Sequence, residues 1–123
     1  MGLDQYGSKV RTEYDSDTRS TTITKTEIAY WRKHNALQGW MEQRWRDKGG
    51  TGVFNCENLV LTSEDLDGLE LAVRAQELPE TTGCFFGPDS REDEDERHAD
   101  LKFIEDAREA LDEGYEIEYS SWW

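Results

Sequence analysis

Apolar side chains recur at helical spacing between Thr24 and Lys48, a segment with no proline and a single glycine. The larger members of this stripe are Ile28, Trp31, Leu37, Trp40, Met41 and Trp45. Spacings of three and four place such side chains on one face of an α-helix. Thr24 and Glu27 also have the spacing of a capping box, which is typical of a helix start. We therefore predict a first helix from Thr24 to Lys48, with Trp31 and Trp40 in the core.

Two further segments have helical patterns. The second helix begins at Thr62 or Ser63, carries apolar residues three and four positions apart, and ends before Pro79. The third begins at Ser90 and has several acidic residues in its first turn, where the positive end of the helix favours them. Gly114 closes it, because glycine readily adopts the conformation that ends helices.

Shorter apolar segments between the helices predict strands. The segment from Val53 to Leu61 is rich in β-prone residues, and Cys84–Phe86 is flanked by glycines. Tyr115 to Tyr119 alternate apolar and acidic residues, which is typical of a half-buried strand that continues toward the terminal tryptophans. The order of elements predicts an α+β fold in which three helices pack on a small, mainly antiparallel sheet.

Residues 1–23 are dominated by serine, threonine and aspartate. We interpret them as a polar, loosely docked N-terminal arm with an extended stretch near Val10 and Tyr14. Residues 24–123 then form a single compact domain, a size that agrees with ordinary domain lengths.

The chain is strongly acidic, with 28 Asp and Glu against 14 Lys and Arg and a net charge of −14. This charge argues against direct binding of nucleic acid, because phosphate contacts require basic surfaces. It argues equally against an anionic membrane surface, and no apolar run is long enough to cross a bilayer. Three interpretations of the acidity remain open: solubility, adaptation to an acid-rich or high-salt setting, and imitation of nucleic-acid phosphates.

The predicted first helix contains a cluster that suggests ligand binding. Arg32, Lys33 and Asn35 lie within about a turn and a half, and Gln38 follows three residues after Asn35. Two cations and two amides beside aromatic residues could hold an anion such as a phosphate or a carboxylate. The alternative is that the cations pair with surplus carboxylates or lie in solvent.

Signatures of catalysis are weak. The sequence contains no phosphate-binding loop, dinucleotide fingerprint or nucleophile elbow. A general base would have to be His34 or a carboxylate whose pKa is raised by burial. His34 and His98 lack metal-ligand spacing, so we expect neither a metal nor another cofactor. An enzyme is therefore the least favoured of the functional classes.

Three motifs together resemble a family of small proteins encoded by tailed bacteriophages. They are Trp31-Arg32-Lys33-x-Asn35 followed by Trp40, the glycine-flanked turn Thr82-Gly83-Cys84-Phe85-Phe86-Gly87, and Ser120-Ser121-Trp122. Their order and approximate spacing agree over residues 28–122. Many of those proteins have a histidine where Gln38 stands and an aromatic residue where Cys84 stands. The family has no settled activity, so the resemblance implies a phage origin and the host cytoplasm rather than a reaction.

The resemblance also implies that these polar and aromatic residues share a pocket. The expected ligand-binding residues are Arg32, Lys33, Asn35, Gln38, Phe85, Phe86, Ser121 and Trp122. Our first hypothesis is an accessory phage protein that acts by binding a host protein or a small anionic, nucleotide-like ligand, and so interferes with host defence. The alternative is an acidic mimic that inhibits a host DNA- or RNA-binding protein, and a small enzyme is the third option. A monomer and a homodimer both agree with the sequence.

Overall fold

The computed structural model describes residues 3–75 and 94–122. In chain order the elements are β1 (Asp4–Asp15), β2 (Ser20–Arg32), α1 (Asn35–Asp47), β3 (Leu59–Leu61), α2 (Ser63–Arg74), α3 (Glu94–Asp112) and β4 (Glu116–Trp122). Within the described residues, three helices pack on a four-stranded sheet with the order β2-β1-β4-β3. Every strand pair is antiparallel. The predicted α+β fold class is confirmed.

The predicted first helix is wrong over nearly its first half, residues 24–34. α1 begins at Asn35, and the segment that precedes it forms β2. This segment is rich in β-branched residues, which lose side-chain freedom in a helix and fit an extended strand. Those residues are Thr21, Thr22, Ile23, Thr24, Thr26 and Ile28. The spacing from Ile28 to Trp31 agrees with a helix, but the hydrogen-bonded ladder with β1 decides the outcome.

The description of residues 1–23 as a loosely docked arm is also wrong. Asp4–Asp15 form β1, which pairs with β2 on one side and with β4 on the other. The pairing with β4 ends at Val10, and from there β1 and β2 continue as a two-stranded ribbon to a turn at residues 16–19. The expected extended stretch near Val10 and Tyr14 lies in this strand. The polar composition of this segment does not reveal that it is a strand. The strand depends on pairing with β4, which comes from the other end of the chain.

The remaining elements agree with the sequence in part. α2 begins at Ser63 with Thr62 as its cap, as expected, and β4 has the predicted alternation of buried and less buried residues. Gly114 follows α3 with a φ of 91°. Only the last three residues of the predicted strand Val53–Leu61 form β3. The predicted strand Cys84–Phe86 lies outside the described residues.

One face of the sheet carries the core. An added Cβ at Gly7 would meet the Phe103 ring of α3, so Gly7 and its cross-strand partners Ala29 and Tyr119 face the helices. The largest buried apolar side chains of the sheet share this face: Trp31, Leu59, Leu61, Ile117 and Tyr119. They pack with apolar residues of all three helices. Trp31 and Trp40 are 2% and 9% exposed, which confirms their predicted place in the core.

We call the opposite side of the sheet the open face. On β1 it comprises the even-numbered positions from Asp4 to Tyr14, and the partners of these positions follow from the register. Those partners are Thr21, Ile23, Lys25, Glu27, Tyr30 and Arg32 on β2, Val60 on β3, and Glu116, Glu118, Ser120 and Trp122 on β4. No helix of the described residues packs on this face.

The start of α2 depends on Asp65. Its carboxylate accepts hydrogen bonds from the Thr62 backbone N–H, at 2.8 Å, and from Lys48 Nζ. Replacing Asp65 with alanine should destabilise the fold by about 1–2 kcal/mol, because the cap and a charge-assisted bond are both lost. Urea unfolding measures this cost. Glu64→Ala, an exposed residue of the same turn, is the control and should cost well under half as much.

The same variant has a predicted pH dependence. Burial works to raise the pKa of Asp65, but the hydrogen bonds from Lys48 and Thr62 together lower it. A carboxylate with a lowered pKa stabilises the fold above the ordinary carboxyl range, and this contribution disappears as the pH falls through the lowered pKa. The difference in unfolding free energy between wild type and Asp65→Ala should therefore shrink toward acid pH. A difference that grows on acidification would contradict the assignment.

Candidate functional site

The structure divides the predicted ligand-binding residues into two groups. Asn35, Gln38 and Ser121 are almost completely buried on the helix side of the sheet. In contrast, Arg32, Lys33 and Trp122 are exposed. Phe85 and Phe86 lie outside the described residues. A pocket shared by all eight residues therefore stays a prediction.

The helical arrangement expected for Arg32, Lys33 and Asn35 is wrong. Arg32 is the last residue of β2, Lys33 lies in the connection with a φ of 59°, and Asn35 is the first residue of α1. The Lys33 backbone N–H donates to the carbonyl of Leu3 at 2.8 Å, which fixes this connection beside the start of β1. The chain turns at this point, so the two cations and the amide do not share one helical face.

A buried polar cluster lies between the sheet and the helices. The Gln5 side chain donates to the His34 carbonyl and to the Tyr119 hydroxyl, both at 2.9 Å, and accepts from the His34 backbone N–H at 2.8 Å. The Tyr119 hydroxyl in turn donates to Gln38 Oε1 at 2.6 Å. Burial strongly raises the pKa of Tyr119, so its hydroxyl stays protonated. These bonds join β1, β4 and α1 across the core.

His34 and Asp100 form the ionisable part of this cluster. His34 Nε2 and Asp100 Oδ2 are 2.8 Å apart, and both side chains are almost fully buried. Burial raises the pKa of Asp100, although the hydrogen bond with His34 works in the opposite direction. The Trp31 indole also favours the charged carboxylate. However, within the described residues neither Trp31 Nε1 nor Asp100 Oδ1 has a partner in standard hydrogen-bond geometry.

Sequence reasoning named His34 as a candidate base but missed Asp100 and Gln5. A signal for Asp100 was present, because it precedes Phe103, Ile104 and Ala107 at helical spacing and so belongs to the buried stripe of α3. A buried carboxylate beside a histidine is a known arrangement for proton transfer. Here the pair is enclosed by protein, and its hydrogen-bonded neighbours tie elements together. The cluster is therefore best interpreted as a structural device.

The exposed residues form a different site, which we call the aromatic patch: Asp4, Tyr6, Tyr30, Arg32 and Trp122 on the open face. Asp4 lies opposite Arg32 on one side and opposite Trp122 on the other. Two residues farther along β1, Tyr6 lies opposite Tyr30, and the centroids of their rings are 5.4 Å apart. Arg32 and Trp122, both predicted from sequence, therefore lie close together despite their separation along the chain.

The aromatic patch is exposed and has an unusual charge for this protein. Trp122 is 64% exposed and Tyr30 50% exposed. The Tyr30 hydroxyl donates to Asp4 Oδ1 at 2.6 Å, and this bond raises the pKa of Tyr30. Together with the adjacent exposed Lys33, the patch has two cations, Arg32 and Lys33, and one carboxylate, Asp4. The chain as a whole has a net charge of −14.

The open face as a whole is rich in exposed apolar side chains. Seven large apolar residues are exposed in the described part of the chain. Five of them lie on the open face: Tyr14, Ile23, Tyr30, Val60 and Trp122. Between the two ends of this face, long charged side chains flank Ser8 and Val10, which are buried. Apart from Val60 on β3, the exposed apolar surface of this face is thus concentrated at the aromatic patch and at the tip of the ribbon.

Two concavities lie elsewhere. A groove of about 480 Å³ between α2 and α3 is lined mainly by charged residues, including Glu70, Arg74 and Arg108. A smaller cavity of about 170 Å³ lies between the sheet and α3, with Lys9 and Ile28 among its walls. Neither is lined by any of the predicted ligand-binding residues.

Among residues 3–75 and 94–122, no group of three histidine, cysteine or acidic side chains could hold a metal ion. None of the helices in that part of the chain is long and apolar enough to cross a membrane. Comparison of the chain with known protein families, with curated proteins and with solved structures found no match.

Proposed function

We propose that this chain acts by binding another protein, and that the aromatic patch is its contact surface. The observation that carries the proposal is the exposure of Tyr30 and Trp122 beside Arg32 on a sheet face that no described helix covers. Tyrosine, tryptophan and arginine are the residues most enriched among those that dominate binding energy at protein interfaces. All three residues lie at one end of the open face, because β2 and β4 pair with β1 in the registers Tyr6–Tyr30, Asp4–Arg32 and Asp4–Trp122.

A protein partner agrees with this surface better than a small ligand does. Pockets for small molecules are concave and enclose most of the ligand. The aromatic patch is instead part of a sheet surface, and the two described concavities are lined by other residues. We therefore favour a partner that presents an apolar surface with a carboxylate at its edge, which would pair with Arg32 or Lys33.

The resemblance to tailed-phage proteins gives this proposal its biological setting. We propose an accessory protein that binds a host component in the host cytoplasm and interferes with host defence. Acidic mimicry of nucleic acid is the competing function, since exposed carboxylates such as Glu105 and Glu109 lie on α3. The two functions use different surfaces and different physical forces, so substitutions can separate them.

The test compares two variants in capture from host lysate, followed by binding measurements with the purified captured protein. Trp122→Ser with Tyr30→Ser removes most of the exposed aromatic area of the patch. It should weaken binding about a hundredfold, because truncating such residues at the centre of an interface commonly costs about 2–4 kcal/mol. Thermal unfolding checks that the fold is retained.

The matched variant is Glu105→Gln with Glu109→Gln, which removes two charges from α3 and leaves the patch intact. It should bind the captured protein within about twofold of wild type, and binding should depend weakly on salt. If this variant loses binding instead, and capture disappears as salt is raised, the acidic surface is the contact and mimicry replaces our proposal.

A further inference from the structure

Within residues 3–75 and 94–122, the outer edge of β2 is a long strand edge whose backbone groups pair with no other strand. In the described residues β2 pairs on one side only, with β1, and forms one edge of the sheet. β2 spans thirteen residues, which is long for an edge strand, and it contains no proline. Such an edge is a template for pairing with another strand unless charges or distortions prevent it.

The charges on this edge are arranged so that they complement a second copy of themselves. Lys25 and Glu27 are two residues apart and lie on the same face of the strand, with Thr26 between them. A lone lysine on an edge repels an approaching copy. A lysine and a glutamate placed symmetrically about one residue instead attract, provided that this residue lies on the symmetry axis.

The charges of Lys25 and Glu27 determine which residue of β2 can lie on the two-fold axis. When a strand pairs antiparallel with its own copy, one residue lies opposite itself, and its neighbours lie opposite each other. An axis at Lys25 or at Glu27 would place like charges directly opposite, which destabilises a strand pair. An axis at Thr26 places Lys25 opposite the partner's Glu27 on both sides of the axis. Thr26 is also the middle residue of β2.

The same register brings exposed apolar residues together. Ile28 has no partner on β1, because Gly7 pairs with Ala29 and Ser8 with Glu27. This bulge shifts the facing of the strand by one residue. With that shift, Ile23 on the open face lies opposite the partner's Tyr30. Ile23 is 67% exposed and Tyr30 is 50% exposed in the single chain, and aromatic pairs with β-branched residues stabilise sheets.

We propose that two copies of this chain pair through their β2 edges, about a two-fold axis at Thr26. The two sheets then form one continuous eight-stranded sheet, with the helices of both copies on one side and both open faces on the other. The proposal rests on the strand edge and its charges, and it does not depend on the function proposed for the aromatic patch.

The test is a charge swap followed by sedimentation equilibrium at low salt over a wide range of concentrations. Lys25→Glu and Glu27→Lys each place like charges opposite at both symmetric positions. Each single variant should associate at least about tenfold more weakly than wild type. The double variant Lys25→Glu, Glu27→Lys restores opposite charges and should recover the wild-type association.

An equimolar mixture of the two single variants provides a further test. One variant then has two glutamates and the other two lysines at these positions, so the mixed pair is complementary and should associate at least as tightly as wild type. Lys102→Glu on α3 is the control, because it makes the same change of charge at an exposed site away from the edge, and it should associate like wild type.

Three results would overturn the proposal: a wild-type chain that stays monomeric at every concentration, single variants that associate as wild type does, or a mixture that fails to associate. Each variant should stay folded, because Lys25 and Glu27 lie opposite the uncharged residues Val10 and Ser8 within the chain. Thermal unfolding of each variant checks this. Tyr30 lies on β2 and belongs to both surfaces, so binding by the aromatic patch is measured separately with Trp122→Ser alone, because Trp122 lies two strands away from this edge.

Discussion

Replacing Asp100 with alanine should destabilise the protein by about 3–5 kcal/mol, the cost commonly observed when one member of a buried ionisable pair is removed. His34 would lose its carboxylate partner at 2.8 Å while staying buried. The loss would extend further, because Gln5 binds the His34 backbone at two points and also contacts Tyr119. An effect of this size would establish the cluster as part of what holds β1 against α1 and α3.

Chemical denaturation of the purified protein measures the effect, with Asp106→Ala as the matched control. Asp106 lies on the same helix and pairs with Lys102 in a surface i,i+4 contact at 3.0 Å. Its removal should cost less than about 0.5 kcal/mol. If the Asp100 variant were as stable as this control, the pair would not be structural, and a catalytic use of His34 would have to be reconsidered.

The pH dependence of this pair has the opposite sign from that of Asp65. Because burial raises the pKa of Asp100, the folded protein retains a proton that the unfolded chain releases above about pH 4. The part of the unfolding free energy that depends on this proton is therefore largest at acid pH and is lost as the pH rises through the raised pKa. Asp100→Asn removes this titration. Wild type should lose stability relative to Asp100→Asn as the pH rises from 4 toward neutrality, whereas a relative gain would contradict the assignment.

Truncation of Phe103 to alanine should also cost about 3–5 kcal/mol. This ring is 1% exposed and packs edge-to-face against Trp31, with ring centroids 5.1 Å apart. It also covers Gly7 in the middle of β1. The variant leaves a cavity between α3 and the sheet, which the rigid surroundings can fill only in part. Denaturant unfolding measures the cost, and the exposed neighbour Lys102→Ala should cost very little.

The contact between Phe103 and Gly7 permits a sharper test. A methyl group at Gly7 would lie 2.5 Å from Phe103 Cε1, a distance that forces a shift in a closely packed core. Gly7→Ala should therefore cost about 1–3 kcal/mol in the wild-type background. In the Phe103→Ala background the methyl group has space, so the same substitution should cost much less. Equal costs in both backgrounds would show that the closeness of the Phe103 ring is not the reason position 7 requires glycine.

The sequence alone determined the elements whose evidence is local. α2 begins where its threonine cap and apolar spacing predict, and β4 shows the alternation of Ile117 and Tyr119 with acidic residues. The burial of Trp31 and Trp40 follows from the apolar stripe, even though Trp31 lies on a strand. These patterns reflect interactions among neighbouring residues, so they can be recognised without knowing the partners of each element.

Tertiary structure decided the N-terminal half of the sheet. The polar segment Asp4–Asp15 becomes one of the two central strands because β4, from the other end of the chain, supplies hydrogen bonds to the side that β2 leaves free. The spacing of Ile28 and Trp31 agrees with both helix and strand, and pairing with β1 selects the strand. Strand formation depends on such distant partners more than on local preference, which is why the sequence pattern could not reveal it.

The same distinction applies to the sites. Motif reasoning named Arg32 and Trp122, but only the register of β1 with both neighbours places them on either side of Asp4. It also named Asn35, Gln38 and Ser121, which the fold buries on the opposite side of the sheet. Residue type is the reason these side chains were predicted to bind a partner. The side of the sheet that each occupies depends on strand pairing, because a shift of one residue moves every side chain to the other face.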